Sequence, residues 1–328
     1  MADTRPTVLV TGATGFLGRR VVERFARDGY PVVAGSRSAA RLADEFPAGV
    51  RAVALDVTDP VSARSAVEGV DVVVHTAAKV GDWGRRRDFV SVLRDGTKNL
   101  LDAVVGRPLV RFVHVSSTIF YGTTGRGVMT EGMLPGHSPF AYGEGKVAAE
   151  HEVKSAREAH RIPTVILRPA NIFGPGSTLW TDRPAELIQR GLMTLPRDHG
   201  KANPVYVDNV VEAIRLVCES DAAVGETFNV VDDDQLSWAD LFGAYATVLG
   251  RGKVAIRAPW MLYGLAATLE TLAGVTGRPP LLTRDAVTYL RFGGTYAQGK
   301  LAQRLGYQPA VGFDDALART ADYLEQRK

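Results

Sequence analysis

The chain has 328 residues, of which 45% are hydrophobic and 23% are charged, so it has apolar content for one large core or two small ones. Its 39 basic and 36 acidic residues are scattered without a block of like charge, which argues against nucleic-acid binding. Because the chain has a single cysteine, Cys218, and opens without a charged-then-apolar signal pattern, we expect no intrachain disulfide and a cytoplasmic location.

Strand and helix patterns alternate at short intervals through the first half of the chain. Runs of Val, Ile and Leu predict strands buried on both faces at Thr7–Thr11, Pro31–Gly35, Val50–Leu55, Val70–Thr76, Val110–Ser116 and Thr164–Arg168. Helical spacing of apolar residues predicts helices at Phe16–Arg27, Val61–Val67, Phe89–Val105 and Tyr142–His160. This alternation predicts an α/β fold with a Rossmann-type doubly wound parallel sheet.

The regular alternation stops near Ser177, where shorter helices mix with isolated strands such as Thr227–Val231. We therefore expect residues 1–176 to form mainly a nucleotide-binding domain. Residues 177–328 are expected to form mainly a smaller, discontinuous substrate domain, with residues of about 203–230 returning to the Rossmann core.

An apolar segment of about twenty residues, 258–277, lies between Arg257 and Arg278 and has Glu270 as its only charge. Its length would allow a membrane span, but the central Glu270, three glycines and several threonines argue against one. Three interpretations remain open: a core helix of the second domain, a lining of a substrate tunnel, or a peripheral contact with a membrane.

The sequence TGATGFLG follows the first predicted strand and opens the first predicted helix. Gly12 would permit a tight turn, Gly15 would let the backbone approach a pyrophosphate, and Gly18 would let the helix pack closely against the sheet. The phosphates would then lie at the helix N-terminus. The turn predicts a phosphate-bearing ligand held by Gly12, Thr14, Gly15, Phe16, Leu17 and Gly18.

Tyr142 and Lys146 lie four residues apart, which places the phenol and the ammonium on one helix face. A lysine cation near a tyrosine favours the phenolate, so Lys146 is expected to lower the pKa of Tyr142 and allow acid-base work. Ser117 follows a predicted strand at its carboxyl end, where it could hold a carbonyl oxygen during hydride attack. Ser116 and Thr118 are its local competitors.

These motifs recur in one order along nearly the whole chain: TGATGFLG at Thr11, LDVTD at Leu55, HTAA at His75, VSSTIFYG at Val115, Tyr142-x-x-x-Lys146, LRPANIFGPG at Leu167 and NPVYVDNVVEA at Asn203. The combination resembles the extended short-chain dehydrogenase/reductase family, in particular its 3β-hydroxysteroid dehydrogenase-like branch. The resemblance implies catalytic roles for Ser117, Tyr142 and Lys146. It further implies cofactor contacts from Asp56, Val57, Ala77, Ala78, Pro169, Ala170, Asn171 and Ile172.

Two positions depart from the pattern of that family. Leu93 stands where an asparagine is usual, which puts the proton-relay contribution of its helix in doubt, and Gly145 stands where Ser or Thr is common. The spacing of Tyr142 and Lys146 is intact, so the resemblance still implies catalysis.

The end of the second strand bears on the choice of cofactor. An NAD enzyme would place an acid there to accept from the adenosine 2′-hydroxyl, whereas this chain has Gly35, Ser36 and Arg37. Arg37 could pair with a 2′-phosphate, since guanidinium groups bind phosphate well. The sequence therefore predicts NADP over NAD, although Arg37 could also stack on adenine or face solvent.

The loop from Ala77 to Gly84 resembles that of bacterial 2-alkyl-3-oxoalkanoate reductases. Lys79 is also counted among the cofactor-binding residues, and it is placed to meet a carboxylate of the substrate, while Trp83 offers apolar surface for a chain or ring system. Alternatively, Lys79 is a solvated loop charge and Trp83 fills a domain interface.

We expect an oxidoreductase that interconverts a ketone and a secondary alcohol on a steroid-like or 2-alkyl-3-oxo acid substrate, as a homodimer or a monomer. A nucleotide-sugar epimerase or dehydratase that retains its cofactor, and a non-catalytic NADP sensor or scaffold, are the alternatives. The six histidines show no metal-ligand spacing, so no metal is expected.

Overall fold

A computed structural model of the chain describes residues 5–37, 45–123, 125, 127–138, 140–232 and 235–327. Its strands are β1 Val8–Thr11, β2 Val32–Ser36, β3 Arg51–Ala54, β4 Val72–His75, β5 Arg111–Val115, β6 Val128–Met129, β7 Thr164–Pro169, β8 Asn171–Phe173, β9 Thr194–Pro196, β10 Pro204–Tyr206, β11 Thr227–Val230, β12 Ala255–Arg257 and β13 Thr295–Tyr296. Its α-helices are α1 Phe16–Arg27, α2 Pro60–Ala66, α3 Arg86–Val90, α4 Gly96–Val104, α5 Ala141–His160, α6 Arg183–Gln189, α7 Val207–Glu219, α8 Trp238–Val248, α9 Pro259–Thr276, α10 Arg284–Leu290, α11 Lys300–Leu305 and α12 Phe313–Glu325.

The main sheet has seven parallel strands in the order β11-β7-β5-β4-β1-β2-β3. Strand order reverses between β1 and β4, which opens the crevice where doubly wound folds bind their ligands. The predicted Rossmann-type fold is thus confirmed. The sequence predicted an isolated strand at Thr227–Val231, but in the structure the strand Thr227–Val230 pairs with β7 at the edge of this sheet.

Helices cover both faces of the sheet, which is why its central strands consist of buried aliphatic residues. Helices α1 and α7 pack together on one face and enclose an apolar core with β1, β5 and β7. Helices α2, α4 and α5 pack on the other face. The two layers hold the carboxyl ends of the strands in fixed positions around the crevice.

The predicted helix over Phe89–Val105 is divided in the structure. Helix α3 ends at Val90, a π-helical turn covers Ser91–Asp95, and α4 follows from Gly96. The Thr97 hydroxyl donates to the carbonyl of Leu93 at 2.5 Å and thereby satisfies a carbonyl at the widened turn. A π-turn adds one residue to the helical repeat, and apolar spacing alone did not indicate that addition.

A second apolar core lies outside the sheet and is rich in aromatic residues. Trp238, Phe242 and Tyr245 of α8 are fully buried there, and Trp180 stacks on Trp238 with ring centroids 5.0 Å apart. Helix α9 packs against α10 beside this core. None of the helices in the described ranges has the length and apolar character needed to cross a membrane.

Candidate active site

The sequence-predicted site residues converge on one cavity of about 1150 Å³ at the carboxyl ends of the central strands. Its lining includes every predicted catalytic and cofactor-binding residue except Gly18: Gly12, Thr14, Gly15, Phe16, Leu17, Ser36, Arg37, Asp56, Val57, Ala77, Ala78, Lys79, Ser117, Tyr142, Lys146, Pro169, Ala170, Asn171 and Ile172. Gly18 is buried beneath the turn, where a Cβ atom would lie 2.2 Å from the carbonyl oxygen of Gly12. Its contribution is therefore close packing rather than contact with a ligand.

The glycine-rich turn has the shape that a pyrophosphate requires. Gly12 adopts a φ of +66°, and a Cβ atom there would lie 2.8 Å from the backbone of Ala77. Helix α1 begins at Phe16, and its N-cap residue Gly15 has no side chain to cover the free N–H groups. An anion at this helix terminus would accept hydrogen bonds from those N–H groups and would be stabilised by the positive end of the helix dipole. The turn therefore fits the pyrophosphate of a dinucleotide.

Three polar residues lie where the adenosine end of a dinucleotide would bind. The hydroxyl groups of Thr14 and Ser36 lie 3.2 Å apart, and Arg37 follows as an exposed residue. Hydrogen bonds from Thr58 lower the pKa of Asp56, and the positive charge of Arg37 lowers it further against the opposing effect of burial. A guanidinium at this edge fits a 2′-phosphate as well as an adenine ring.

Ser117 is the hydroxyl residue of its cluster that contacts the predicted acid. It precedes a 3₁₀ turn at Thr118–Tyr121, accepts from the backbone N–H of Ile119 at 3.3 Å, and forms a hydrogen bond with Tyr142. Ser116 instead donates to Glu150 at 2.7 Å, while Thr118 forms a hydrogen bond with Tyr296. Alternation of side chains along the outgoing strand separates the three.

Burial raises the pKa of Tyr142 to about 12, and the hydrogen bond with Ser117 offsets only part of that rise. The expected lowering by Lys146 is not found. The Lys146 ammonium donates to the carbonyl of Val115 at 2.6 Å and lies 5.8 Å from the centroid of the Tyr142 ring. Since the phenol keeps its proton at neutral pH, Tyr142 is in the form that can donate a proton to a substrate oxygen.

A buried ionic network supports the helix that carries Tyr142 and Lys146. Glu150, one turn after Lys146, accepts from Arg168 Nε at 2.8 Å and from Arg168 Nη2 at 2.7 Å. Burial lowers the pKa of Lys146 to about 8, and the negative charge of Glu150 opposes that effect. Arg168 also donates to the hydroxyl of Tyr121 at 2.8 Å, which joins β7 to the 3₁₀ turn at Thr118–Tyr121 as well as to α5.

The two departures from the family pattern are in contact with each other. A Cβ atom added at Gly145 would lie 2.6 Å from Cδ1 of Leu93 and 3.1 Å from its Cβ. Leu93 is buried against the glycine, so a serine or threonine at position 145 has no room. The large side chain of Leu93 and the absence of one at Gly145 thus fit each other where α5 crosses the π-turn.

Sequence reasoning missed most of the part of the cavity that residues after Ser177 supply, apart from the segment 258–277, which it offered as a tunnel lining and whose Leu262, Leu265 and Leu269 line the cavity. Tyr289 of α10 lines the cavity and donates to Asn171 Oδ1 at 2.7 Å across a sequence separation of 118 residues. Most of the other wall residues from this part of the chain are apolar, among them Trp180, Leu187, Leu192, Met193, Phe242, Leu262, Leu265, Leu269, Leu281, Leu282 and Leu290. Outside the segment 258–277, local patterns contain no signal for these residues, because they come together only in the folded chain.

Comparison with known families agrees with this geometry. The family model described as the NAD dependent epimerase/dehydratase family matches residues 8–230. The chain belongs to this family, which makes it an enzyme of the extended short-chain dehydrogenase/reductase type and a member of an NAD(P)-dependent group.

Two named relatives match over nearly the full length of the chain. The chain is 28% identical to the 2-alkyl-3-oxoalkanoate reductase of Stenotrophomonas maltophilia (strain K279a), with 95% of this chain and 97% of the relative covered. It is also 28% identical to the 3-beta-hydroxysteroid dehydrogenase of Mycolicibacterium neoaurum, with coverage of 96% and 90%.

Among solved structures, the UDP-glucuronic acid 4-epimerase from Bacillus cereus in complex with NAD superimposes with a TM-score of 0.78. It covers 98% of this chain and 99% of the epimerase at 21% identity, and it therefore supports the fold.

Proposed function

We propose that this enzyme uses NADP to interconvert a ketone and a secondary alcohol on a bulky apolar substrate. The observation that carries the proposal is the composition of the cavity. Its lining combines Ser117, Tyr142 and Lys146 and the glycine-rich turn with leucines and aromatic residues from the part of the chain after Ser177. A steroid ring system or a 2-alkyl-3-oxo acid would bury its hydrocarbon against such a wall.

The residues divide the work of ketone reduction between them. Ser117 holds the carbonyl oxygen with its hydroxyl, and Tyr142 gives that oxygen its phenolic proton. The Lys146 ammonium lies in the cavity wall, 5.8 Å from the centroid of the Tyr142 ring, without lowering the pKa of the phenol. A bound nicotinamide cofactor would supply the hydride to the carbonyl carbon. The glycine-rich turn and Pro169 to Ile172, at the other side of the cavity, would hold that cofactor.

Replacing Tyr142 by Phe tests the reaction. The hydroxyl that donates the proton is lost while the ring remains, so kcat should fall by at least about 100-fold. NADPH binding, followed by quenching of its fluorescence, should stay near the wild-type value. Tyr30→Phe, which removes a hydroxyl bound to Glu219 on the far side of the fold, is the control and should keep full activity. Retained turnover in Tyr142→Phe would refute the role.

Replacing Arg37 by Ser tests the cofactor. If Arg37 binds the 2′-phosphate, the variant should lose affinity for NADPH by about 10-fold or more, as loss of a charge-assisted hydrogen bond predicts, and keep its affinity for NADH. Equal loss for both cofactors would mean that Arg37 stacks on adenine. Tighter binding of NAD by the wild-type enzyme would overturn the proposed preference.

Lys79 separates the two substrate classes. Its ammonium lies 5.2 Å above the ring of Phe89, lines the cavity, and has no acidic partner among the described residues. A carboxylate of a 2-alkyl-3-oxo acid would pair with it, whereas a neutral steroid ketone would not. Lys79→Met should therefore raise the KM of an oxo acid by about 10- to 100-fold and leave that of a steroid ketone unchanged. The class whose turnover is detected in the wild type identifies the substrate.

An epimerase or dehydratase of nucleotide sugars is the second candidate, favoured by the family to which the chain belongs. Such an enzyme regenerates its cofactor in each cycle. Release of one oxidised NADP for each molecule of product would exclude it, and turnover of a UDP-sugar without net NADPH consumption would establish it. The intact set of Ser117, Tyr142 and Lys146 argues against a sensor or scaffold, which has no use for a proton donor.

A further inference from the structure

Helix α9 exposes an apolar face to solvent. Trp260 is 75% exposed and Val275 is 84% exposed, and Met261, Leu265 and Leu272 between them are each about half exposed. At 100° per residue these five side chains share one side of the helix. The opposite side carries the buried residues Leu262, Ala266 and Ala273. The usual arrangement of a surface helix, with charged residues outward, is thus absent from α9.

The exposed face of α9 carries no charge. Glu270 is the single charged residue of the helix, and its carboxylate is turned inward, where it accepts from Arg284 Nε at 2.7 Å and from the Arg284 backbone N–H at 2.7 Å. Its side chain is only 14% exposed. A contiguous uncharged face of this kind, on an otherwise polar surface, marks a site of interaction.

Cations that lack acidic partners flank both ends of this face. Arg257 immediately precedes α9, Arg278 immediately follows it, and both are exposed. Arg197 is joined to Arg257 by a backbone hydrogen bond of 2.8 Å, and Arg251 and Lys253 lie in the preceding loop. In the described part of the chain, no carboxylate lies within ion-pair distance of these five cations.

The apolar face is continuous with the active-site cavity. Leu265 is exposed on α9 and also lines the cavity. Leu262 and Leu269 on the same helix line the cavity as well. Leu192 and Leu281, each about half exposed, line the cavity beside them. An apolar molecule could therefore pass from the outer face of α9 to the cavity wall along leucine side chains.

We propose that α9 is an interfacial helix that docks on the surface of an anionic lipid bilayer. An apolar helix face with tryptophan near one end, framed by unpaired cations, matches a bilayer surface in both hydrophobicity and charge. If a second copy of this chain covered the face, its five cations would lie near the same five cations of the first copy and repel them. An anionic lipid surface would attract them instead, so charge complementarity favours the lipid. The inference does not depend on the proposed reaction, because binding is measured without substrate.

Cosedimentation of the full chain with vesicles tests the proposal. The protein should pellet with vesicles of phosphatidylglycerol and phosphatidylcholine, pellet less with phosphatidylcholine alone, and be released by high salt, which screens surface charge. Val275→Asp should weaken partitioning by about tenfold, the factor that corresponds to the burial of one valine side chain. Leu134→Asp is the matched control, since Leu134 is 86% exposed and lies in the segment after β6 rather than on α9.

The charge component has its own pair of variants. Arg257→Gln with Arg278→Gln should weaken binding to the anionic vesicles by about fivefold for each arginine. Arg27→Gln with Arg64→Gln removes the same charge from exposed positions of α1 and α2 and should have little effect. Failure of the wild type to bind anionic vesicles, or equal loss in Val275→Asp and Leu134→Asp, overturns the proposal. So does a wild-type dimer that Val275→Asp converts to a monomer in light scattering, because the face would then bind a second copy.

Discussion

Two histidines are buried side by side at the carboxyl ends of β4 and β5. Their ring centroids lie 5.5 Å apart. The nitrogens of His75 lie 2.8 Å from the hydroxyl of Thr11 and 3.0 Å from that of Thr97, whereas neither nitrogen of His114 has a hydrogen-bond partner among the described residues. Burial, and then the charge of Lys146, lowers the pKa of His75 to about 3 and that of His114 well below its ordinary value. Both rings are therefore neutral in the folded protein.

The stability of the protein should fall in acid because of these rings. Their folded-state pKa values lie below the unfolded value of about 6.5, so the unfolded chain binds more protons as the pH falls through that value. The stabilisation is present above about pH 6.5 and is lost as the pH approaches the folded-state values. Substituting His114→Leu should reduce the slope of unfolding free energy between about pH 6 and about pH 4 by about 1.4 kcal/mol per pH unit. Urea denaturation at several pH values measures it.

The control for this experiment is His160→Leu, which changes an exposed histidine in the last turn of α5. That variant should keep the wild-type slope. An unchanged slope in His114→Leu would show that the acid sensitivity arises from other groups, and His75 would be the next residue to replace.

At the level of elements, the crossing of α5 and the π-turn at Ser91–Asp95 fixes the position of Tyr142 and Lys146. Gly145 lets the backbone of α5 approach Leu93, and the Thr97 hydroxyl holds the carbonyl of Leu93. Overpacking at such a crossing displaces helices, because protein interiors transmit strain rather than absorb it.

Gly145→Ala should destabilise the protein by about 1–3 kcal/mol and lower kcat, although alanine favours the helix in general. The added methyl group meets Leu93 and pushes α5, with Tyr142 and Lys146, away from the π-turn. Adding Leu93→Ala removes the atom that lies closest, so the double variant should be more stable than the sum of the two single changes predicts, by about 0.5–3 kcal/mol. Thermal unfolding of all four proteins measures the coupling, and strict additivity would contradict the steric account.

The meeting of the glycine-rich turn, Ser117, Tyr142 and Lys146 in one cavity could be predicted from the sequence because each of these parts has a local signal. The glycine-rich turn, Ser117 at a strand end, and the spacing of Tyr142 and Lys146 are each encoded in a few neighbouring residues. The packing of Gly145 on Leu93 joins residues that are distant in sequence, and the π-turn at Ser91–Asp95 is too short for apolar spacing to indicate its extra residue. The effect of burial on the pKa of Tyr142 likewise depends on the whole environment, which spacing does not describe.

At the scale of the whole molecule, hydrogen bonds join α10 to β8 and to the loop after β4. Asn171, at the start of β8, donates to the carbonyl of Ala202 at 2.6 Å and accepts from Tyr289 of α10 at 2.7 Å. Thr283, at the N-terminus of α10, donates to Asp82 at 2.5 Å from the loop after β4. Helix α10 is thus tied to both β8 and the loop after β4, and it carries part of the leucine-rich wall that faces Ser117, Tyr142 and Lys146 in the cavity.

Tyr289→Phe tests whether this connection shapes the substrate site. The variant leaves the buried Oδ1 of Asn171 without its donor, which should cost about 1–3 kcal/mol of stability. Because α10 is then held less firmly over the cavity, the KM of a bulky ketone should rise more than kcat falls. Tyr263→Phe is the matched control, since its hydroxyl lies 3.0 Å from Thr288 on the same helix pair but does not line the cavity. An equal rise of KM in both variants would mean that α9 and α10 are loosened in general, and steady-state kinetics with NADPH distinguishes the two outcomes.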